Sequence, residues 1–160
     1  MNFIKKAEES LLKFLKKELE DYKINNKTIN FVRGFTEEKT IQDKLEGKEK
    51  TTYPLLIIRT GLLKQSINSG VSEKIQEMKI GLMIEEEGLG GYSTVQDFSE
   101  KVLEILTINP FLNAGFETVP EEFEGSFSEE GSGGGFWIYN IQIKLRIPVV
   151  ESRFKGDDYN

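Results

Sequence analysis

The side chains of this sequence best equipped for chemistry are carboxylates. Glu85, Glu86 and Glu87 form one run, and Glu121, Glu122 and Glu124 gather further along. Oxygen ligands of this kind suit magnesium or calcium. Alternate residues of a strand point the same way, so Glu85 and Glu87 could share a face. A cation loop also needs a fixed ligand register such as Asp-x-Asp-x-Asp-Gly, and the sequence has none. Histidine and cysteine are both absent. Their absence removes disulfides, thiol nucleophiles, zinc sites of the usual kind and imidazole acid–base work. A serine nucleophile would lack its base. Gly88-Leu89-Gly90-Gly91 has no Gly-Lys-Ser/Thr continuation and no G-x-G-x-x-G spacing, so it reads as a hairpin-like connector. Gly131 to Gly135 precedes a strand, whereas nucleotide loops follow one and open a helix. Phe136, Trp137 and Tyr139 offer stacking faces, but basic residues do not interleave with them as a nucleic-acid groove requires. The sequence therefore points away from an enzyme: it assigns no catalytic, cofactor-binding or metal-ligating residue, and its acids read as a solvated or partner-facing edge.

Composition supports a folded domain. A chain of 160 residues, 38% of them hydrophobic, is long enough to bury about 70% of the surface its unfolded form exposes. It contains no apolar run of the roughly 18 residues that a membrane helix needs. The lysines near Met1 are not followed by an apolar stretch, so no signal peptide is expected. The net charge of −6 is unevenly spread: residues 1–60 carry +3 and residues 61–160 carry −9. That balance argues against tight binding to phosphates, which needs clustered lysine and arginine.

The elements that must position these residues follow from periodicity. Phe3, Ala7, Leu11, Phe14, Leu15, Leu19 and Tyr22 recur at helical spacing, which predicts an amphipathic helix over 2–22 with Asn2 as its cap. Residues 28–33 predict a short strand ended by Gly34. Residues 36–52 are almost wholly polar and predict a mobile loop. Leu55 to Ile58 are four consecutive aliphatics, the mark of a central strand buried on both faces, with Pro54 tolerated only before it. Residues 62–73 read as another loop. Met78, Ile80, Leu82 and Ile84 alternate with Lys79, Gly81 and Glu85, a strand with one dry face. Ser93 with Gln96 suggests a capping box opening a helix whose stripe is Val95, Phe98, Val102, Ile105 and Leu106. Asn109-Pro110 stops that helix. A short strand is expected near Phe116–Val119, broken by Pro120, and residues 128–135 read as a flexible loop. The last strand is the plainest: Trp137, Tyr139, Ile141, Ile143, Leu145 and Ile147 face one way. The helix carrying Phe98 and Val102 is expected to bury Trp137, Ile141 and Ile143. Pro148 ends the strand, and a frayed tail follows. These elements amount to a single α+β domain over 1–150. Its core, 53–150, is an antiparallel or mixed sheet of about four to five strands with two main helices on it; 151–160 is expected to be a flexible tail.

The order of landmarks resembles the tail terminator or tail completion (minor tail) proteins of tailed bacteriophages. Tyr53-Pro54-Leu55-Leu56-Ile57-Ile58-Arg59 comes first, then the strand Lys79-Ile80-Gly81-Leu82-Met83-Ile84. Gly91-Tyr92 opens a helix with Glu100, Asn109-Pro110-Phe111-Leu112 follows, and an aromatic strand from Trp137 closes on Arg146-Ile147-Pro148. The resemblance covers roughly residues 53–150; residues 1–50 match only in being helix then strand. The glycine-rich acidic stretch 116–135 and the run Glu85-Glu86-Glu87 depart from the pattern.

The resemblance implies a structural virion protein that binds its partners. Copies would close a ring, typically a hexamer, that caps the tail tube, ends its polymerisation and offers a surface to the neck or connector proteins. It further implies no cofactor, no membrane, assembly in the host cytoplasm and residence at the tail-neck junction of the virion. DNA would pass through the bore without being held. Carboxylates repel phosphate, so Glu85, Glu86, Glu87, Glu121, Glu122 and Glu124 are candidates for the bore or a subunit contact. Another neck or head-tail connector subunit is the nearest alternative reading. A carboxylate metal enzyme is a distant one, separable by titration with magnesium, manganese and calcium.

Overall fold

The computed structural model describes residues 2–35, 52–68, 70–112 and 115–148. Of the loop expected at 36–52, residues 36–51 lie outside the described residues, as does the tail expected at 151–160.

Helix α1 (Phe3–Glu18) begins where Asn2 accepts a hydrogen bond from the Lys5 amide at 2.9 Å, and Lys16 and Lys17 sit in its last turn, where they favour the dipole. It is shorter than the expected 2–22. After Leu19 the chain turns into a small hairpin, β1 (Lys23–Ile24) and β2 (Lys27–Thr28). Asn25 and Asn26 both have positive φ, the geometry of a tight two-residue hairpin turn. Strand β3 (Asn30–Arg33) pairs parallel with β4 (Leu55–Asn68), which pairs antiparallel with β5 (Val71–Glu85). Helix α2 spans Gly90–Ile108, followed by β6 (Glu117–Thr118), a 3-10 turn (Pro120–Glu122), β7 (Glu124–Phe127) and β8 (Phe136–Ile147).

The main sheet runs β3-β4-β5-β8-β6, with β7 also along β8. The fold is α+β with a mixed sheet. It has six strands against the four to five expected, because β7 was not read as a strand. Leu56, Ile58, Met78, Ile80, Leu82, Ile84, Ile141, Ile143, Leu145 and Ile147 supply one sheet face to the core. Ala7, Leu11, Phe14 and Leu15 of α1 and Val95, Phe98, Val102 and Leu106 of α2 meet it. Leu55 to Ile58 are all buried, as four consecutive aliphatics in an inner strand should be.

Three expectations are corrected. Residues 62–73 are no loop: apart from Ser69, which lies outside the described residues, and the turn at Gly70, they are the ends of β4 and β5, paired from Leu63 with Gln76 to Asn68 with Val71. Leu62 to Ile67 are exposed, so no buried face imposes the alternation by which a strand is recognised. Two residues of β4, Gly61 and Leu62, stand opposite the single Glu77, a bulge. Gln76, 1% exposed, holds that bulge by donating its amide N–H groups to the carbonyls of Gly61 at 3.0 Å and Glu77 at 2.8 Å. Second, α2 starts at Gly90 and not at Ser93; its N-cap is Leu89, with no side-chain cap. Gly88-Leu89-Gly90-Gly91 is accordingly a strand-to-helix turn, with Gly88 at φ +81 and the last two glycines inside the helix. Residues 128–135 are, as expected, a loop; it joins β7 to β8, with Ser128 N–H donating to Ile138 O at 2.9 Å and Ile138 N–H to Ser132 Oγ at 3.0 Å. Third, Ile141 and Ile143 are buried under α2 as expected, but Trp137 is only half-buried, at the helix's first turn.

Candidate functional site

Tyr53, Pro54, Gly91, Tyr92 and Trp137, five of the landmark residues of the sequence, come together at one end of the sheet. Trp137, the second residue of β8, stands opposite Ile84, and its indole N–H donates to the Glu86 carbonyl at 2.8 Å. Gly91, buried in the first turn of α2, lies directly against that indole; a side chain there would overlap Trp137. This close approach is what the glycine provides. Tyr92 meets Phe127 edge-on with centroids 4.9 Å apart and lies 6.4 Å from Trp137. Tyr53 packs on Phe136 at 5.4 Å, and the Pro54 carbonyl accepts from Asn30 N–H at 2.8 Å just before β4 begins. The rim of this cluster is apolar and open: Leu89 is 86% exposed, Tyr92 42% and Phe136 38%.

Glu85, Glu86 and Glu87 border this aromatic end. Glu86 is occupied by structure. Its carboxylate accepts from Asn25 Nδ2 and Thr94 Oγ1, both at 2.9 Å, and its backbone N–H donates to Gly135 O at 2.7 Å. It thereby ties the β1–β2 turn, the start of α2 and the glycine turn to the end of β5. Glu85 and Glu87 are exposed. Glu87 lies beyond the strand's last residue, so strand alternation does not place it with Glu85.

The second group of acids is elsewhere. Glu121 and Glu122 sit in the 3-10 turn, with Glu122 3.6 Å from Lys144 Nζ, and Glu124 begins β7 opposite Gln142. Glu85 pairs with Phe136 and Glu124 with Gln142, a separation along β8 of about 20 Å at 3.3–3.4 Å per residue. The fold does not unite the two acidic groups. Among the described residues no group of three or more Asp or Glu side chains is placed to hold a metal ion. No helix there is long and apolar enough to cross a membrane.

The remaining landmark residues are spread down the sheet. Arg59 donates from Nε to Gly34 O at 2.6 Å and stacks on the Phe35 ring at 4.2 Å. Gly81 lies beside Ile57, whose Cγ2 would stand 3.0 Å from an added Cβ. Both border a concavity of about 770 Å³ on the helix-free face, with Lys79, Asn140, Gln142 and Glu124. Arg59 and Lys79 are directly opposite each other there, an arrangement that disfavours the pairing unless an anion intervenes. Asn109 caps α2, donating from Nδ2 to Ile105 O at 2.8 Å; Pro110 O accepts from Thr118 N–H at 2.7 Å; and Pro148 follows β8. These last residues lie toward the end opposite Trp137.

Sequence reasoning missed the surface at that opposite end. Leu62 and Ile67 are 69% and 68% exposed on the β4–β5 arm, and Ile108 at the end of α2 and Phe111 just beyond it are 67% and 68% exposed. The one available signal was Gly61 followed by aliphatics inside a polar stretch, since a strand glycine often marks a bulge.

No protein-family profile matches this chain. No curated protein matches it. Among solved structures it is similar to a chain of the virion of a native gene transfer agent particle, at 10% identity and a TM-score of 0.38, over 68% of this chain and 85% of that one.

Proposed function

We propose that this protein is a structural virion component of the tail terminator type. Copies of the chain close a ring at the tail-neck junction, cap the tail tube, end its polymerisation and present a surface to the neck or connector proteins. The observation that carries the reading is the convergence of five of the landmark residues. Tyr53, Pro54, Gly91, Tyr92 and Trp137, far apart in sequence, build one end of the sheet, and that end offers exposed Leu89, Tyr92 and Phe136. An apolar, aromatic rim of this kind suits docking onto another protein.

Glu85 and Glu87, exposed beside that rim, are proposed to face the bore, where repulsion of phosphate is felt within about 8 Å at physiological salt. Glu121 and Glu124, across the sheet, fall to a subunit contact.

The test is tube capping. Added to growing tail tubes, the purified protein should stop elongation and be found at tube ends. Undiminished growth, with the protein bound to neck components instead, would assign it to a neck or connector subunit. Changing Glu85 and Glu87 together to lysine spares the bonds of Glu86. It should leave joined particles whose DNA delivery is slowed; normal delivery removes these two acids from the bore.

A further inference from the structure

The β4–β5 arm has an open edge. Strand β3 covers β4 only from Leu55 to Ile58. From Thr60 to Asn68 the outer backbone edge of β4 has no partner strand among the described residues. Folded proteins usually blunt such an edge with charge, proline or a covering segment. Here Lys64 is the only charge from Thr60 to Asn68, while Leu62, Leu63 and Ile67 are exposed at 69%, 39% and 68%.

The register says what stands at the far side. Leu63 pairs with Gln76, Gln76 with Leu145, and Leu145 with Thr118. Thr118 N–H then donates to Pro110 O at 2.7 Å, and Phe111 bridges Glu117. One row across the sheet therefore begins at the arm and ends at the corner Ile108–Phe111. That corner is the other exposed apolar site of this half of the molecule, with Ile108 at 67% and Phe111 at 68%. The charges match as well. Lys64 and Lys74 of the arm make no ion pair among the described residues. Residues 109–122, which include the corner, carry Glu117, Glu121 and Glu122 and no basic side chain; Glu117 and Glu122 already pair with Arg146 and Lys144, which leaves Glu121 to meet a lysine of the arm.

We infer that the partner of the arm is a second copy of this chain, joined head to tail, with Leu62, Leu63 and Ile67 of one copy seated on Ile108 and Phe111 of the next. A contact between unlike edges repeats from copy to copy, and sheet edges at the same level meet with little stagger, so the contact can close a ring. This gives the self-assembly proposed above its interface, and it rests on that reading.

The experiment uses sedimentation of the full chain and two double variants. One is Leu62→Glu with Ile67→Glu on the arm, the other Ile108→Glu with Phe111→Glu at the corner. All four positions are exposed, and unchanged Trp137 fluorescence checks that each variant is folded. The unaltered protein should form multimers, and each variant alone should sediment as the 18.3 kDa chain. Mixed in equal amounts, the variants should form a species of about twice that 18.3 kDa mass and nothing larger, because each pair keeps one intact arm and one intact corner. An unaltered protein that stays single at every concentration overturns the inference, and so does either variant assembling normally. A corner variant that assembles while the arm variant does not means arm meets arm. A mixture that stays single, or binding of the arm to tube subunits only, also overturns it. Tube capping is scored separately. Capping by multimers indifferent to both variants sinks this contact alone, whereas loss of capping and of self-assembly together sinks the functional reading.

Discussion

Gly91→Ala isolates the contact on which the aromatic end depends. In a helix the exchange should help: alanine is better than glycine by about 1 kcal/mol in a helix interior. At Gly91 the added methyl would overlap the Trp137 indole, which sits over the first turn of α2. The indole cannot retreat freely, since its N–H is bonded to Glu86 O at 2.8 Å and its ring lies 6.4 Å from Tyr92 and 6.3 Å from Phe127. Overpacking a fitted site costs about 1–3 kcal/mol. Losing the indole hydrogen bond adds about 1 kcal/mol. After the gain in helix propensity, a net loss of about 2 kcal/mol remains, or a fall in melting temperature of about 4–8 °C for a chain of this size. The chain has a single tryptophan, so urea unfolding followed by its fluorescence reads stability and displacement together. Gly91→Ala should shift the native emission to the red and lower the unfolding midpoint. Gly90→Ala is the control, because its methyl would meet only Glu86 Oε2, at 2.8 Å, and not the Oε1 that holds Asn25 and Thr94. Equal or greater stability of Gly91→Ala, with unchanged emission, would refute the assigned contact.

Ile143, fully buried on β8, should cost about 2–5 kcal/mol when changed to alanine, whereas Gln142→Ala on the opposite face should cost far less; equal losses in denaturant melts would mean the register is wrong. Burial first, and Asp97 second, push the Tyr22 phenol above its usual range. The folded state therefore holds that proton more tightly than the unfolded chain. Stability from this group is complete below the unfolded pKa of about 10 and is lost as pH rises through the folded value. Tyr22→Phe should flatten the alkaline limb of a stability–pH curve, and an unchanged limb would remove Tyr22 as its source.

Where a residue has one buried face, its role was readable in the sequence. The strand alternation of Met78 to Ile84 and Ile141 to Ile147 follows from a sheet dry on one side, and Leu55 to Ile58 announce burial on both. The cap at Asn2 and the stop at Asn109-Pro110 are local chemistry and appear where expected. The absence of histidine and cysteine is likewise a property of the sequence alone.

Tertiary structure decided the rest, because those features depend on residues distant in sequence. The β4–β5 arm is held by backbone pairing while its side chains stay wet, so nothing periodic marks it. The first turn of α2 includes Gly91, which packs on the indole of a residue 46 positions on, and a local capping pattern at Ser93 could not report it. The acids looked alike in the sequence, yet the sheet separates them. Glu86 became a tie among three segments, and Glu122 a partner of Lys144. Sequence fixes the valence of a side chain; only the register of the sheet, a long-range property, fixes which neighbours use it.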